Sequence, residues 1–328
     1  MDAPKKEWAV SVIVPAHNAA DTISRTLNSL LAQTTQDFEC IVVDDASADG
    51  TTQVVGQFIE TYHLSPRWRI LSGTGHQFPQ GVSCSRNQGI RASVGEFVFF
   101  LDADDELEAS CLGTLLATQQ KCQADITCCN ILRCHPDGQV RAMGERPVGR
   151  ELLASPENPD DFQEILPFLD SSCAKLFRRS LLDAVQLQFQ AGMPFGEDTL
   201  FSCCAALKAR RVVVLPDYWG YRYLLRGSSC SARIDVRGRL ASLELLLRNL
   251  DRETPENLKR ILLRKSCEYL WTIRKYGGGE RDTLLGELLS SPLWREIVYP
   301  VCASHGKWKH RLCAWLFLHR CLWALSFW

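Results

Sequence analysis

The first hundred residues alternate between short apolar runs and amphipathic segments. The apolar runs cover residues 10–14, 40–43, 68–71 and 97–101, and each is followed by polar or turn-forming residues. Between the runs, apolar residues recur at the spacing of one helix face. The run at 97–101 has no polar interruption, which is typical of a strand covered on both faces. Four strands joined by helical crossovers predict a parallel α/β sheet.

The pattern loosens after residue 105. It predicts a helix over 107–120, a strand over 126–132, a loop region over 135–164, two strands over 212–215 and 218–225, and two long helices within 234–276. The two late strands are separated by Pro216 and Asp217, which favour a turn. We therefore expect an α/β domain over residues 1–230 and a helical C-terminal region over residues 231–328.

The charge of the chain is balanced only in total. An apolar fraction of 46% predicts a folded protein, and 37 basic against 38 acidic residues give a net charge of −1. Residues 1–110 carry 7 basic and 15 acidic residues, a net charge of −8, so the remaining 218 residues sum to +7. The total excludes a strongly basic nucleic-acid binder, and we expect no nucleic-acid partner.

Fifteen cysteines raise the question of disulfides or a metal site. The N-terminus has no apolar run followed by a small-residue cleavage site, so we expect a cytoplasmic protein with reduced thiols. The densest group, Cys122, Cys128, Cys129, Cys134 and His135, lacks the paired C-x2-C spacing of zinc sites. The spacing favours core or surface thiols over a metal site.

Candidate ligand-binding residues follow three of the predicted strands, at the carboxyl ends where α/β sheets bind ligands. They are Pro15–Asn18 after the first strand, Asp44 and Asp45 after the second, and Asp102, Asp104 and Asp105 after the fourth. Three carboxylates in four residues suit Mg2+ or Mn2+, and Mg2+ in proteins commonly bridges carboxylates to a diphosphate. The alternative is a solvated acidic turn at a helix N-terminus. Two glycine-rich phosphate-binding motifs are absent from the sequence: no G-x-G-x-x-G follows the first strand, and no G-x-x-x-x-G-K-[ST] is present.

Four ordered segments carry a family resemblance. They are VSVIVPAHNAADTISRTLNSLLAQT, FECIVVDDASADGT, GVSCSRNQGIRASVGEFVFFLDADDE and FGEDTLF. Over roughly residues 8–230 they closely resemble family 2 glycosyltransferases of the GT-A fold. The resemblance implies a Rossmann-like α/β domain with a mostly parallel central sheet and flanking helices, followed here by a helical extension. It also implies inverting transfer of a sugar from a nucleotide diphosphate donor, a UDP-sugar by expectation, to a hydroxyl group.

The resemblance also assigns roles on the donor side of the site. It places Pro15, Ala16, His17 and Asn18 along the nucleotide pocket, Asp45 at the base, Arg86 beside the donor, and Asp102, Ala103 and Asp104 in the metal-binding D-x-D motif. Asp102 and Asp104 form the D-x-D pair. Asp104 is the expected direct metal ligand, and Asp105 is expected to support the pair. For Arg86, a solvent-exposed arginine on a helix surface is the equal alternative.

On the acceptor side, Asp198 matches the catalytic base of the family, and Glu197 would orient the acceptor or the base. An acidic first turn of the following helix is the alternative for both residues. The chain lacks the Q-x-x-R-W motif of processive members, and its segment Y-R-Y-L-L-R-G-S-S resembles that of non-processive ones. We therefore expect one sugar to be added per encounter. Arg222 or Arg226 would reach the diphosphate, and an arginine at a strand edge without such a role is the equal alternative.

The last 28 residues are basic and rich in tryptophan. Residues 301–328 contain four Lys or Arg, four Trp and no acidic residue. The apolar stretch 312–328 is short for a membrane span and contains Arg320. A helix lying in an anionic membrane surface fits this composition. The alternative is a helix docked on the protein or on a second subunit of a homodimer.

Together these features predict a peripheral enzyme at the inner face of the cell membrane. By analogy with the family that the chain resembles, its acceptor would be a glycan or a lipid-linked glycan of capsule, O-antigen or lipopolysaccharide assembly. One rival is a non-catalytic protein that binds sugar nucleotides and organises an assembly complex, against which the intact D-A-D-D and E-D motifs weigh. A nucleotidyltransferase is a second rival, and the first strand lacks the glycine- and lysine-rich loop expected of it.

Overall fold

The computed structural model describes residues 8–72, 81–142, 152–154, 164–193, 195–226 and residue 283. The chain divides into two compact units. The first comprises Met1–Gly192 and Glu197–Ser229, and the second comprises Met193–Gly196 and Cys230–Trp328. The predicted C-terminal helices and basic tail lie almost wholly outside the described residues and stay predictions. None of the helices in the described ranges combines the length and apolarity that crossing a membrane requires.

The first half of the domain follows the predicted alternation of strands and helices. Its elements are β1 (Val10–Ala16), α1 (Ile23–Leu31), β2 (Phe38–Asp44), α2 (Thr51–Thr61), β3 (Trp68–Ser72), α3 (Val82–Ala92) and β4 (Phe97–Phe100). Every residue of β1, β2 and β4 is buried, as expected of strands covered on both faces.

The second half of the domain mixes parallel and antiparallel strands. Its elements are β5 (Glu106–Leu107), α4 (Cys111–Cys122), β6 (Ile126–Cys134), β7 (Val140–Ala142), β8 (Leu152–Ala154), a 3-10 turn (Leu166–Phe168), β9 (Lys175–Arg178), α5 (Arg179–Ala184), α6 (Glu197–Lys208) and β10 (Val212–Leu224). The helix predicted to follow Glu197 and Asp198 is confirmed as α6, which begins at Glu197 itself.

All ten described strands form one sheet. Eight of them run in the order β3-β2-β1-β4-β9-β6-β10-β5, with β7 paired to β6 and β8 paired to β10. The strands from β3 to β4 are parallel, β9 is antiparallel to both of its neighbours, and β6 and β10 are parallel. The predicted GT-A arrangement of a mainly parallel sheet with flanking helices is confirmed.

Three sequence predictions about individual elements were wrong. Residues 212–225 hold one strand, β10, with register shifts around Trp219. A bulge accommodates Pro216, which has no N–H for the ladder, so the strand continues past it. The helix predicted from 107 begins at Cys111, because residues 106–107 pair with β10 as β5. The predicted loop region contains the short strands β7 and β8.

Close packing of α3 on β1 brings two parts of the site together. A Cβ atom on Gly89 would lie 2.3 Å from Cγ2 of Ile13, so only glycine allows this approach. Arg86 lies on the same helix, about one turn before Gly89. The sequence R-N-Q-G thus places a basic side chain at the edge of the sheet where β1 and β4 end.

A cluster of phenylalanine rings packs against α6. The rings of Phe189 and Phe201 stack with centroids 3.9 Å apart, and Phe100 and Phe177 meet Phe201 edge-on. Burying one such phenylalanine contributes about 1.5–3 kcal/mol relative to leaving it exposed. The cluster therefore holds the first turn of α6 beside the carboxyl end of β4.

Candidate active site

The carboxyl ends of β1, β2 and β4 bring the sequence-predicted polar residues to one edge of the sheet. Pro15 and Ala16 end β1, Asp44 ends β2, and Asp102 follows β4. The backbone N–H of Asp45 donates to the carbonyl of Ala16 at 2.8 Å, which joins the first two loops.

The predicted nucleotide pocket is formed by the loops after β1 and β2. His17 Nδ1 lies 2.8 Å from the carbonyl oxygen of Asp45, and its Nε2 lies 3.0 Å from Asn18 Nδ2. An imidazole protonated on Nδ1 satisfies both contacts. Asn18 Oδ1 also accepts from the N–H of Ala48 at 2.9 Å. His17 and Asn18 are exposed whereas the Asp45 side chain is buried and accepts from the N–H of Gly81 at 2.8 Å.

The three carboxylates of the D-A-D-D motif have different surroundings. Asp102 and Asp104 are half-buried, and Asp104 forms an ion pair with Arg226. Asp105 is fully buried and accepts from Tyr221 Oη at 2.7 Å and from the N–H of Leu224 at 2.9 Å. Burial, together with the nearby charges of Asp102 and Asp104, raises the pKa of Asp105 to about 8. Asp105 thus anchors the motif to β10.

Ala103 contributes its backbone rather than a side-chain function. Its carbonyl oxygen accepts from Thr22 Oγ1 at 3.0 Å, and its methyl group is buried. This contact fixes the loop after β4 against the start of α1.

Arg86 joins the donor-side and acceptor-side carboxylates. Its Nη2 donates to Asp102 Oδ1 at 2.9 Å, and its Nη1 donates to Asp198 Oδ1 at 2.5 Å and to Glu197 Oε1 at 3.2 Å. Only 3% of its side chain is exposed, and the guanidinium lies 5.2 Å from the ring centre of Phe189. The surface-helix alternative for Arg86 is therefore wrong, because α3 packs this face directly on the sheet.

Burial and charge shift the protonation of two groups in this cluster. Burial alone would lower the pKa of Arg86, but Asp198 and Asp102 raise it well above its ordinary value. Burial and the neighbouring Asp198 raise the pKa of Glu197 to about 7, against the lowering effect of Arg86. One guanidinium does not compensate three carboxylates, so Glu197 takes up a proton in the neutral range.

Three residues that the sequence reasoning missed complete the cluster. Ser172 Oγ donates to Asp198 Oδ1 at 2.8 Å, and Ser171 Oγ reaches Asp198 Oδ2 at 3.5 Å. Cys173 Sγ lies 3.6 Å from Asp102 Oδ2. Burial and the charge of Asp102 raise the pKa of the Cys173 thiol well above its ordinary value, so it donates. The segment S-S-C has no recognisable motif, and only its place just before the apolar residues of β9 marks it.

Arg222 and Arg226 differ in what they reach. Arg222 Nη1 donates to Glu108 Oε1 at 2.9 Å, and its Nε lies 3.7 Å from Glu106 Oε2. Arg226 pairs with Asp104 of the D-x-D motif. Of the two arginines expected near a diphosphate, the structure brings Arg226 to the D-x-D motif.

The carboxylates of the D-x-D motif could hold a divalent metal together with a substrate group. Within the described ranges, no group of three or more His, Cys, Asp or Glu side chains is arranged to hold a metal ion by itself. Asp102 and Asp104 nevertheless supply hard carboxylate oxygens, two residues apart, on the half-exposed loop after β4. Mg2+ usually takes one or two carboxylates and completes its shell with water and substrate phosphates. These two residues fit a metal shared with a diphosphate. The densest cysteine group of the sequence, Cys122, Cys128, Cys129, Cys134 and His135, contains no carboxylate oxygen.

Comparison with known proteins places these motifs in a family. Residues 11–185 match the family model described as Glycosyl transferase family 2. The succinoglycan biosynthesis protein ExoO of Rhizobium meliloti is 31% identical over 247 residues, which are 73% of this chain and 68% of that protein. A poly(ribitol-phosphate) beta-glucosyltransferase of Bacillus spizizenii is 29% identical over 220 residues, which are 66% of this chain but 32% of that protein. The chain thus spans about a third of that second relative.

Two solved structures share the fold. Staphylococcus aureus TarS 1–349 in complex with UDP-GlcNAc superposes with a TM-score of 0.67 at 23% identity, covering 90% of this chain and 83% of that one. The mannosyltransferase PcManGT from Pyrobaculum calidifontis, in complex with GDP-Man and Mn2+, superposes with a TM-score of 0.54 at 19% identity, covering 96% and 89%. At these identities the likeness establishes the fold alone.

Proposed function

The chain belongs to glycosyl transferase family 2, and from this premise we propose that it transfers one sugar from a nucleotide diphosphate donor to an acceptor hydroxyl group. The contact that carries the proposal is the bridge made by Arg86. One guanidinium contacts Asp102 of the predicted donor site and Asp198, the predicted base. A sugar donor bound at Asp102 and an acceptor bound at Asp198 would therefore be separated by no more than the width of the Arg86 guanidinium group.

The donor in this proposal is a UDP-sugar. Support comes from the TarS structure, which holds UDP-GlcNAc, although the mannosyltransferase structure holds GDP-Man. Pro15, Ala16, His17 and Asn18 would line the nucleotide pocket, and the buried carboxylate of Asp45 would face the base. The bonds of His17 to Asp45 and Asn18 hold this loop in place before the nucleotide enters.

The diphosphate in this proposal lies between the loop after β4 and the end of β10. Asp102 and Asp104 would hold Mg2+ or Mn2+, which would supply charge stabilisation to the departing diphosphate. Arg226, which pairs with Asp104, would contribute its guanidinium to phosphate oxygens of the diphosphate. Arg86 has a buried Nε–H with no acceptor among the described residues, which suits an oxygen of the donor.

Asp198 is the general base in this mechanism. Its Oδ2 accepts the proton of the acceptor hydroxyl, whose oxygen forms a bond to the anomeric carbon of the sugar. The bond between that carbon and the diphosphate oxygen breaks, and its electron pair leaves with the nucleoside diphosphate. Attack from the face opposite the leaving group inverts the configuration. Glu197 shares Arg86 with Asp198 and would orient the base or the acceptor.

The acceptor in this proposal belongs to the cell envelope. The relatives include a succinoglycan biosynthesis protein and a poly(ribitol-phosphate) beta-glucosyltransferase, which favours a glycan or a lipid-linked glycan as the acceptor. The basic, tryptophan-rich residues 301–328 would bring the enzyme to the anionic inner face of the membrane. In this proposal the enzyme acts in the synthesis of capsule, O-antigen or lipopolysaccharide.

The experiment is a donor panel measured by release of nucleoside diphosphate. Purified protein is incubated with UDP- and GDP-sugars plus an envelope glycan acceptor, with Mn2+, with Mg2+ or with a chelator. We expect release with at least one UDP-sugar, loss of release with the chelator, and a similar loss in Asp104→Asn. Asp37→Asn, at an exposed loop position directly before β2, is the matched control. Donor binding without release from any donor would favour the scaffold alternative.

A further inference from the structure

The two carboxylate oxygens of Asp198 have unequal surroundings. Oδ1 accepts two short hydrogen bonds, from Ser172 Oγ at 2.8 Å and from Arg86 Nη1 at 2.5 Å. Among the described residues, Oδ2 has one contact, with Ser171 Oγ at 3.5 Å, which is at the outer limit of a hydrogen bond. Oδ2 is therefore the oxygen with capacity left to accept a further proton.

The backbone that carries the two serines is fastened to α6. We call residues 170–173 the serine segment. Thr199 Oγ1 donates to the carbonyl of Asp170 at 3.1 Å, and Ser202 Oγ donates to the carbonyl of Ser171 at 2.9 Å. Both donors lie on the first two turns of α6, the helix that also carries Asp198. The serine segment and the base are therefore held at a fixed separation by contacts that do not involve substrate.

The hydroxyl of Ser172 is dedicated to the base, whereas Arg86 is shared. Ser172 is fully buried, and its Oγ donates to Asp198. Arg86 divides its donors among Asp198, Glu197 and Asp102. If Arg86 turned its donors toward a bound sugar donor, the Ser172 hydroxyl would still donate its hydrogen bond to Asp198 Oδ1.

We propose that Ser172 is a positioning residue that holds Asp198 Oδ1 and thereby turns Oδ2 toward the acceptor hydroxyl. This inference rests on the proposed role of Asp198 as the base. The terminal torsion of an aspartate is broad, so an unrestrained carboxylate samples many orientations. Two donors on one oxygen fix that torsion, and proton transfer requires the base within hydrogen-bond reach of the attacking hydroxyl.

The test compares kcat with KM in purified full-length variants. Ser172→Ala should lower kcat about tenfold to a hundredfold and leave KM for the donor within about twofold, because the hydroxyl acts on the base alone. Ser172→Cys has a similar volume and a weaker donor, so its kcat should lie between those of the parent and the alanine variant.

Ser11→Ala is the matched control. Ser11 is also fully buried, and its Oγ donates to the buried carboxylate of Glu39 at 2.6 Å, near the opposite ends of the strands. Its loss should lower the free energy of unfolding and leave kcat unchanged. An equal fall of kcat in Ser11→Ala and Ser172→Ala would overturn the positioning role, since it would reflect lost stability.

Asp198→Asn separates the failure of this inference from that of the proposed function. If Asp198→Asn is inactive while Ser172→Ala keeps the parental kcat, Ser172 does not position the base, although the base assignment stands. If Asp198→Asn keeps turnover, the base assignment itself fails. Where Ser172→Ala does not fold, Ser172→Cys decides alone: a lower kcat at constant KM supports the role, and the parental kcat overturns it.

Discussion

Arg86 is the side chain whose loss would change most of the candidate active site at once. Its guanidinium is buried against Phe189 and contacts Asp102, Glu197 and Asp198. Removing one partner of a buried charge cluster leaves the others uncompensated, which commonly costs about 3–5 kcal/mol. Arg86 thus has a structural role and a proposed chemical role, and these can be separated by two substitutions.

We predict that Arg86→Ala lowers the free energy of unfolding by about 3 kcal/mol. Arg86→Lys keeps the charge but cannot span the carboxylates as a planar fork does, so it should fold and lose about tenfold to a hundredfold in turnover. Urea unfolding and steady-state kinetics measure the two effects. Arg91→Ala, an exposed arginine on the same helix, is the control and should change neither quantity. Full turnover in Arg86→Lys would contradict the bridging role.

Glu197 gives the ligand-free protein a specific pH dependence. Its pKa is raised from 4.5 to about 7 in the folded state by burial and by Asp198. Between these values the folded protein holds a proton that the unfolded chain releases. The free energy of unfolding therefore falls as the pH rises from about 4.5 to about 7.

Glu197→Gln should remove this component, because glutamine does not titrate. Urea unfolding at several pH values should show a flatter profile in the variant, with the largest gain in stability near pH 8. Glu60→Gln, at an exposed position on α2, should reproduce the parental profile. A parental pH profile in Glu197→Gln would show that Glu197 is not the titrating group.

At the scale of elements, the fit between α3 and β1 sets the position of Arg86. A Cβ at Gly89 would lie 2.3 Å from Ile13 Cγ2, so Gly89→Ala must push α3 away from the sheet. We predict a loss of about 1–3 kcal/mol in stability together with reduced turnover. Gly56→Ala on α2 meets no atom within 4 Å and should be neutral or slightly stabilising. Thermal unfolding of both variants gives the comparison, and equal melting temperatures would contradict the packing argument.

The sequence predicts the elements whose signals are local. The buried strand β4 is marked by a continuous apolar run and the amphipathic helix α1 by the spacing of its apolar residues, and both signals can be read directly from the chain. The extension of β10 through Pro216 could not be predicted, because it depends on pairing with β6 and β5. The same reason applies to β9, whose antiparallel place between β4 and β6 depends on contacts far away in sequence.

In the candidate site, too, some residues have a local sequence signal and others depend on contacts between distant segments. Carboxylates at strand ends follow from topology and motif, so Asp45, Asp102 and Asp104 could be named in advance. The burial of Arg86 depends on how closely α3 packs, and the approach of Ser172 depends on the contacts between the serine segment and α6. Neither relation leaves a periodic or local signal in the sequence.

At the scale of the whole molecule, opposite charges separate along the chain. Residues 1–110 carry a net charge of −8 and contain the proposed metal ligands, whereas the other 218 residues carry +7 and end in the basic, tryptophan-rich tail. A positive, aromatic tail is attracted to anionic lipid. The balanced total therefore conceals two segments with different proposed partners.

We predict that deletion after Lys307 releases the protein from membranes. Full-length protein should sediment with vesicles containing anionic phosphatidylglycerol and less with neutral phosphatidylcholine vesicles, and high salt should weaken the binding. The truncated protein should stay in solution and keep its donor turnover with a soluble acceptor. Equal sedimentation of the two proteins would favour a tail docked on protein, and a change in oligomeric state on deletion would indicate a second subunit.

The central claim is that Asp198 removes the acceptor proton at a site assembled around Arg86. The most direct measurement is turnover and donor binding in Asp198→Asn beside the parent enzyme, with the donor and metal that the panel selects. We predict donor binding within about threefold of the parent and a loss of turnover of about a hundredfold or more. Parental turnover in Asp198→Asn would contradict the account, because another group would then have to take the proton.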